Sequence, residues 1–184
     1  MASTTLLSAS LLSLALLLTG CAPAGSDYGF KISDVSLRPG HQKILARYRQ
    51  DLDLSRDAQE ALENGVALTL KLEMELRDAL TLTLLADDSR HYEIRHLPLS
   101  EVYQLSAPEV EPRSFPRLRH VMNELASLNI DFRTGPLAPG SYEYRARIRL
   151  DNASLPAPMH LPALFSSEWK HDSEWSTWPF EIDA

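Results

Sequence analysis

The only cysteine of the chain, Cys21, lies between an uncharged leucine-rich run and the small residues APAGS. Its thiol could serve as a nucleophile, as half of an intermolecular disulfide or as an attachment point. A reactive thiolate needs electropositive neighbours in a structured site, and neither flanking stretch carries a charge. An exported protein with one free cysteine would also be unusual. The residues around Cys21 therefore favour an attachment point.

The residues before Cys21 are typical of an export signal. Residues 1–20 carry no charge, and the run from Leu11 to Leu18 has the length of the apolar segment of a signal peptide. A membrane-spanning helix needs about 20 apolar residues, so the run is too short for a comfortable span. The basic residue that usually precedes such a segment is missing from MASTT.

The tetrapeptide LTGC, which ends at Cys21, resembles the bacterial lipobox. The resemblance implies that the Cys21 thiol receives a diacylglycerol group, that the chain is cut before it, and that the new amino group is acylated, for example with palmitate. Such lipids exceed the two signals that stable anchoring requires. We predict a lipoprotein signal peptide at residues 1–20 and a tether at residues 21–29. A plain secretory signal with a chance cysteine and an uncleaved apolar anchor are the alternatives.

The lipobox also indicates a location. By analogy with enteric bacteria, the residue after the lipidated cysteine directs sorting, and Ala22 favours the outer membrane over the inner one. We expect a lipid-anchored protein of the cell envelope that faces the periplasm. The formal net charge of −7 disfavours nucleic acid as a partner.

Sequence patterns for other chemistry are sparse. The chain has no GxSxG nucleophile motif and no glycine-rich phosphate loop. No two histidines have the HxH or HxxxH spacing of a metal site. The six histidines are His41, His91, His96, His120, His160 and His171. We predict no catalytic residue, no metal and no cofactor.

Carboxylates are the main alternative source of catalysis, because a glycosidase works with two carboxyl groups around the scissile bond. Six residues could supply such a pair: Asp51, Asp53, Glu73, Glu75, Asp87 and Asp88. Alternation places most of them on solvated strand faces, where a carboxylate needs no catalytic role.

Three arginines alternate along one predicted strand: Arg145, Arg147 and Arg149. Cations on one strand face repel one another unless anions lie beside them. The candidate partners for structural pairing are Glu73, Glu75, Asp51 and Asp53. An unpaired ladder would instead bind lipopolysaccharide, phospholipid headgroups or an acidic protein. We expect the structural role and keep binding as the alternative.

All three tryptophans lie near the C-terminus, at Trp169, Trp175 and Trp178. Exposed tryptophan rings can stack on sugars, grip a peptide or lie in a membrane interface. Alternation places Trp178 on one strand face with Phe180 and Ile182, which predicts an inward position. Trp169 stands among charged residues, so we expect it to be exposed and a candidate for binding.

Strands must position most of these residues. Apolar and polar residues alternate in KILARYRQDLDL, VALTLKLEMELR and SYEYRARIRL, which is typical of antiparallel strands with one buried face. Weaker strands are predicted at 30–37, 80–86, 91–97, 101–105, 130–134 and 174–182. Two helices are predicted, with Ser55 and Ser114 as their N-caps. The proline-containing segments SAPEVEPRS and LPAPMHLP are predicted connections. The fold class is a mainly β, antiparallel β-sandwich with two short helices, in a single domain at 30–184.

Four segments carry a family resemblance: ISDVSL, ALENGVALTLKLEMEL, PGSYEYRARIRLDNASLPAP and the closing W…W…W pattern. On these, the chain is similar, from roughly Phe30 to Ile182, to proteobacterial envelope proteins catalogued as domain of unknown function 4390. The resemblance implies an exported protein without an assigned reaction. The genes of the family often lie beside those for a membrane sensor kinase and its response regulator, which suggests a role in envelope signalling.

The sequence thus predicts a non-enzymatic envelope module that binds a protein partner. A periplasmic ligand-sensing accessory of a membrane kinase, which would use an arginine or tryptophan patch, is one alternative. A cell-wall glycan hydrolase is the other.

Overall fold

The computed structural model describes residues 28–183. The predicted signal peptide, Cys21 and most of the predicted tether lie outside the described residues. The elements run β1 Gly29–Pro39, β2 Lys43–Asp53, α1 Arg56–Glu63, β3 Leu68–Asp78, β4 Leu84–Leu97, β5 Val102–Ala107, β6 Val110–Phe115, α2 Leu118–Leu125, β7 Asn129–Arg133, β8 Gly140–Leu150, α3 Ala157–Phe165 and β9 Ser176–Ile182.

The strands form two antiparallel sheets. The smaller has the order β1-β2-β7 and the larger the order β6-β5-β4-β3-β8-β9. Alternate side chains of β2, β3 and β8 point into the space between the sheets, as the period-two pattern predicts. The mainly β, sandwich-like fold is therefore confirmed.

Two buried tyrosines join the sheets. Tyr48 of β2 and Tyr144 of β8 are fully buried, and their hydroxyl groups hydrogen-bond to each other. Phe132 of β7 packs edge-on against the Tyr144 ring, with 5.4 Å between ring centroids. Burial raises the pKa of both hydroxyls. Each tyrosine thus satisfies the other in an apolar core.

The first helix is as predicted. The Ser55 hydroxyl accepts a hydrogen bond from the Ala58 N–H at 3.2 Å, which is the expected N-cap geometry, and Ala58 and Leu62 are buried. The chain after α1 turns at Gly65, whose φ of 88° favours glycine.

The predicted start of the second helix at Ser114 is wrong. Ser114 pairs with Gln104 inside a β5–β6 hairpin, and α2 begins at Leu118. SAPEVEPRS is thus part of a hairpin rather than a connection. Pro112 is tolerated because β6 is an edge strand, where a missing N–H needs no partner.

Two further boundaries differ from prediction. The second proline-containing segment, residues 155–162, forms the start of the third helix, α3. Pro158 is in the first helical turn, where it removes only an N–H that has no helical partner, whereas Pro162 lies inside the helix. The strand expected at 80–86 begins only at Leu84 and continues into the one expected at 91–97 as a single strand, β4, because alternation runs through the polar residues Asp88 and Arg90. Residues 80–83 belong to the turn before it.

Candidate functional site

The arginine ladder lies on the outer face of the larger sheet, where it pairs with β3. Arg147 Nη2 and Arg149 Nε donate to Glu73 Oε2 at 2.7 and 3.0 Å. Arg145 Nη1 lies 3.4 Å from Glu75 Oε2. These contacts follow from the register, which places Glu73 opposite Arg147 and Glu75 opposite Arg145. The expected pairing with Glu73 and Glu75 is confirmed, whereas Asp51 and Asp53 belong to the other sheet.

Glu73 is the centre of this charge network. Its carboxylate also contacts Lys71 Nζ at 3.0 Å. Burial alone would raise the pKa of Glu73, but hydrogen bonds from Lys71, Arg149 and Arg147 outweigh it and lower the pKa to about 2. The arrangement stabilises a carboxylate that stays ionised and neutralises the cations around it.

The tryptophans have three different environments. Trp169 is only 6% exposed and belongs to the hydrophobic core, so its expected exposure is wrong. The turn at Ser167–Trp169 brings the ring inward, and its backbone carbonyl accepts from Asn152 Nδ2 at 3.1 Å. The Trp175 ring lies 5.1 and 4.9 Å from the guanidinium carbons of Arg145 and Arg147. Trp178 packs partly buried against the core, as predicted.

The six candidate carboxylates are spread over several surfaces. Asp51, Asp53 and Asp87 are exposed, and Glu73 and Glu75 belong to the arginine network. Asp88 Oδ2 lies 3.0 Å from Arg90 Nη2. A general acid needs a raised carboxyl pKa, yet the pKa values of Glu73 and Asp78 are lowered. Within residues 28–183, no three His, Cys, Asp or Glu side chains are grouped as metal ligands.

One serine and one lysine have the SxxK spacing of serine–lysine hydrolases, at Ser167 and Lys170. They flank the buried Trp169 at the turn after α3, and both side chains are exposed. The turn thus offers no enclosed site in which a lysine could activate the serine.

An open cleft of about 480 Å³ lies between β7, the end of α2 and the β5–β6 hairpin. Tyr92, Leu105 and Ile130 line it, and burial raises the pKa of Tyr92 to about 12. Three ion pairs stand at its wall: Arg90–Asp88, Arg113–Glu124 and Lys43–Asp131. The cleft can accept an apolar side chain. The charges of its arginines are already neutralised by the acidic partners in these ion pairs.

One exposed apolar stretch is the leucine tip, which we define as residues 79–85: the turn after β3 and the first two residues of β4. Its four exposed leucines are Leu80, Leu82, Leu84 and Leu85. Asp78 orders the turn: its Oδ1 accepts from the N–H groups of Leu80 and Thr81 at 3.0 and 2.7 Å. Leu80 and Leu82 are thus held on an ordered turn, although they remain 89% and 56% exposed.

A second apolar surface lies on α3. Leu161, Leu164 and Phe165 are exposed, at the i, i+3 and i+4 spacing of one helix face, and we call them the α3 face. Only Ala163 of this helix is buried. Among the helices at 28–183, none combines the length and apolar character that crossing a bilayer requires.

The two apolar surfaces lie at opposite ends of the larger sheet. The leucine tip follows Asp78, which pairs with Tyr142 near the start of β8. The α3 helix comes shortly after Leu150, the end of β8, which pairs with Leu70 at the other end of β3. An eleven-residue strand such as β3 spans about 35 Å.

Sequence reasoning missed both surfaces, although each has a detectable pattern. ALTLTLLA at 79–86 contains no charge, whereas the strands that flank it, β3 and β4, carry several. APMHLPALF also carries no Asp, Glu, Lys or Arg, and it has more apolar residues than one buried helix face can use.

Comparison with known proteins gives one match. No curated protein and no solved structure matches the chain significantly. A family model described as Domain of unknown function (DUF4390) matches residues 27–179, which include all of the strands except the end of β9. The chain therefore belongs to the DUF4390 family.

Proposed function

We propose that this protein is an exported, lipid-anchored and non-enzymatic module of the cell envelope that docks a protein partner through its leucine tip. The observation that carries the proposal is a group of four exposed leucines, two on an ordered turn and two at the start of β4. Exposed apolar side chains grouped in this way are typical of interaction sites. The turn is held by Asp78, so docking would need little ordering of the chain.

The charges around the leucine tip favour a protein as its occupant. Asp78 stands at its base and the exposed Asp87 follows it on β4. These two carboxylates at the base of the tip would be repelled by anionic headgroups. The partner that fits is a protein with an apolar groove and a basic rim.

The LTGC motif supports the anchor in this proposal. Lipidation of Cys21 would hold the domain at the outer membrane, facing the periplasm. If Cys21→Ala still gives an anchored product at the normal level, or if labelled palmitate is not incorporated, the anchor is wrong.

No specific observation favours the ligand-sensing or hydrolase alternatives over docking. The ladder of Arg145, Arg147 and Arg149 is engaged by acidic side chains, and Trp169 is buried. The cleft beside β7 is open, and the ion pairs at its wall are formed within the protein.

Photo-crosslinking in cells tests the docking proposal. A benzophenone amino acid at Leu82 should give a discrete protein adduct, identified by mass spectrometry. Leu99 is the matched control, because it is a fully exposed leucine outside the leucine tip, and it should give no such adduct. With the benzophenone amino acid at Leu84, the double variant L80S/L82S should give about tenfold less adduct than the otherwise unchanged chain.

Three results would contradict the docking proposal. They are adducts to lipid alone at Leu82, equal protein adducts at Leu82 and Leu99, and glycan turnover by the purified protein without a partner adduct. The last of these would restore the hydrolase alternative.

A further inference from the structure

We infer that the α3 face lies in the headgroup region of the bilayer that holds the lipid anchor, so that the domain stands on this membrane with its leucine tip directed away. This inference rests on the proposed function through the anchor at Cys21. It assigns a lipid surface as the occupant of the α3 face.

The α3 face has the composition of an interfacial surface. Leu161, Leu164 and Phe165 point to one side, and Phe165 is 85% exposed. The helix carries no Asp, Glu, Lys or Arg. His160 is the one titratable residue of the helix, and its Nε2 is hydrogen-bonded to the Leu155 carbonyl at 2.7 Å. The α3 face can therefore enter a headgroup layer without desolvating a charge.

The chain leads from the predicted tether to the same end of the domain. The Tyr28 ring lies 5.3 Å from the His171 ring. The His171 carbonyl accepts from the Leu150 N–H at 2.8 Å, so Tyr28 lies at the end of β8 that precedes α3. Phe165 is six residues before His171 in the chain, a path of at most about 20 Å.

The length of the tether limits how far the domain can move from the membrane. Tyr28 is seven positions after Cys21, a stretch that spans at most about 25 Å. A lipidated Cys21 would therefore keep α3 near the bilayer surface at a high effective concentration. The leucine tip lies at the other end of β3, about 35 Å away.

A lipid surface explains why a helix of nine residues suffices. A short helix with three apolar side chains would bind a bilayer only weakly by itself. Because the acyl chains supply the affinity, the α3 face needs only to set the orientation of the domain. Because α3 carries no Asp or Glu, its face brings no carboxylate to the anionic headgroups.

The test uses the full, lipidated chain in vesicles of phosphatidylethanolamine with phosphatidylglycerol. Since Cys21 is blocked by lipid, a cysteine introduced as F165C takes a nitroxide label selectively. Collision with oxygen and with a water-soluble nickel chelate then reports immersion of the label. We expect the oxygen-to-nickel ratio at F165C to exceed that at the L99C control several-fold, and L82C to match L99C.

A second variant separates orientation from anchoring. L161S/L164S with the label at F165C should remain bound to the vesicles, while its oxygen-to-nickel ratio falls to that of L99C. If F165C without further changes binds the vesicles but its label has the same oxygen-to-nickel ratio as L99C, the inference is overturned while the anchor stands. A chain that is not lipidated in cells instead defeats the proposed function. Protection of F165C in the absence of vesicles, with concentration-dependent dimers, would assign the α3 face to a second copy and also overturn the inference.

Discussion

Single residues on the outer sheet face show how this chain handles its charges. Glu73 accepts from Arg147 and Arg149 and contacts Lys71, so one partly buried carboxylate compensates several cations. Hydrogen bonds to a charged group contribute more than neutral ones. Glu93, by contrast, contacts only Arg95 on the same strand, at 2.6 Å and with greater exposure.

We expect Glu73→Gln to lower the free energy of unfolding by about 2 kcal/mol, because two arginines lose a charged acceptor. The matched control Glu93→Gln should lower it by less than about 1 kcal/mol, as for other exposed pairs. Urea unfolding followed by circular dichroism measures both differences. Equal effects of the two substitutions would show that the network around Glu73 contributes no more than a surface pair.

Alternation of polar and apolar residues was enough to predict which face the arginines occupy, since successive strand residues point to opposite sides. Alternation also limited which acidic residues could pair with the arginines. The register between β3 and β8 then selects Glu73 and Glu75. The burial of Trp169 could not be predicted in this way. Its position depends on a three-residue turn after α3, and charged neighbours such as Glu168 and Lys170 made the segment look exposed.

At the scale of elements, the hairpin between β3 and β4 is ordered by local hydrogen bonds rather than by burial. Asp78 accepts from two backbone N–H groups and from the Thr81 hydroxyl. The pKa of Asp78 is lowered, chiefly by the hydrogen bond from the Thr81 backbone. Leu82 has a φ of 58°, which is uncommon for a residue other than glycine. The surrounding hydrogen bonds must hold this conformation.

Asp78→Ala should therefore loosen the leucine tip without unfolding the sheet. We expect amide hydrogen exchange at Leu80 and Thr81 to become faster by roughly tenfold, because both N–H groups lose their acceptor. Amides in the middle of β3 should keep their exchange rates. Asp87→Ala is the control, since Asp87 is exposed on the same hairpin outside this turn. Unchanged exchange in Asp78→Ala would show that the tip is ordered by other contacts.

Long elements with a clean period were predictable, whereas two proline-containing elements were not. β2, β3 and β8 each keep eleven residues of alternation. β6 and α3 contain prolines, which indicate a connection when the sequence is considered alone. Tertiary context decides otherwise: β6 uses Pro112 on a free edge, and α3 begins with a proline in its first turn.

At the scale of the whole molecule, His171 links segments that are distant in sequence. Its Nε2 accepts a hydrogen bond at 2.9 Å from the N–H of Ser55, the N-cap residue of α1. The rings of Tyr28 and Phe30 lie 5.3 and 5.1 Å from the imidazole ring. Burial lowers the pKa of His171, against a smaller opposing effect of the Trp169 backbone carbonyl, which favours the protonated ring. The folded protein therefore holds this histidine neutral, with Nε2 as an acceptor.

A neutral buried histidine makes global stability depend on pH. Below about pH 6.5 the unfolded chain binds a proton at His171 that the folded chain does not bind. The free energy of unfolding should therefore fall as the pH decreases from this value to the lower pKa of the folded state. Urea midpoints measured from about pH 7.5 to 5 should show the decline.

His171→Gln isolates this contribution, because an amide oxygen can accept from the Ser55 N–H but does not titrate. The variant should be less stable near neutral pH, since the tilted ring contacts of Tyr28 and Phe30 are lost. Its urea midpoint should nevertheless change less with pH than that of the parent chain. His41→Gln, at an exposed turn position, should retain the parental pH dependence. If the urea midpoints of His171→Gln and His41→Gln changed equally with pH, protonation of His171 would not be the cause of the pH-dependent stability.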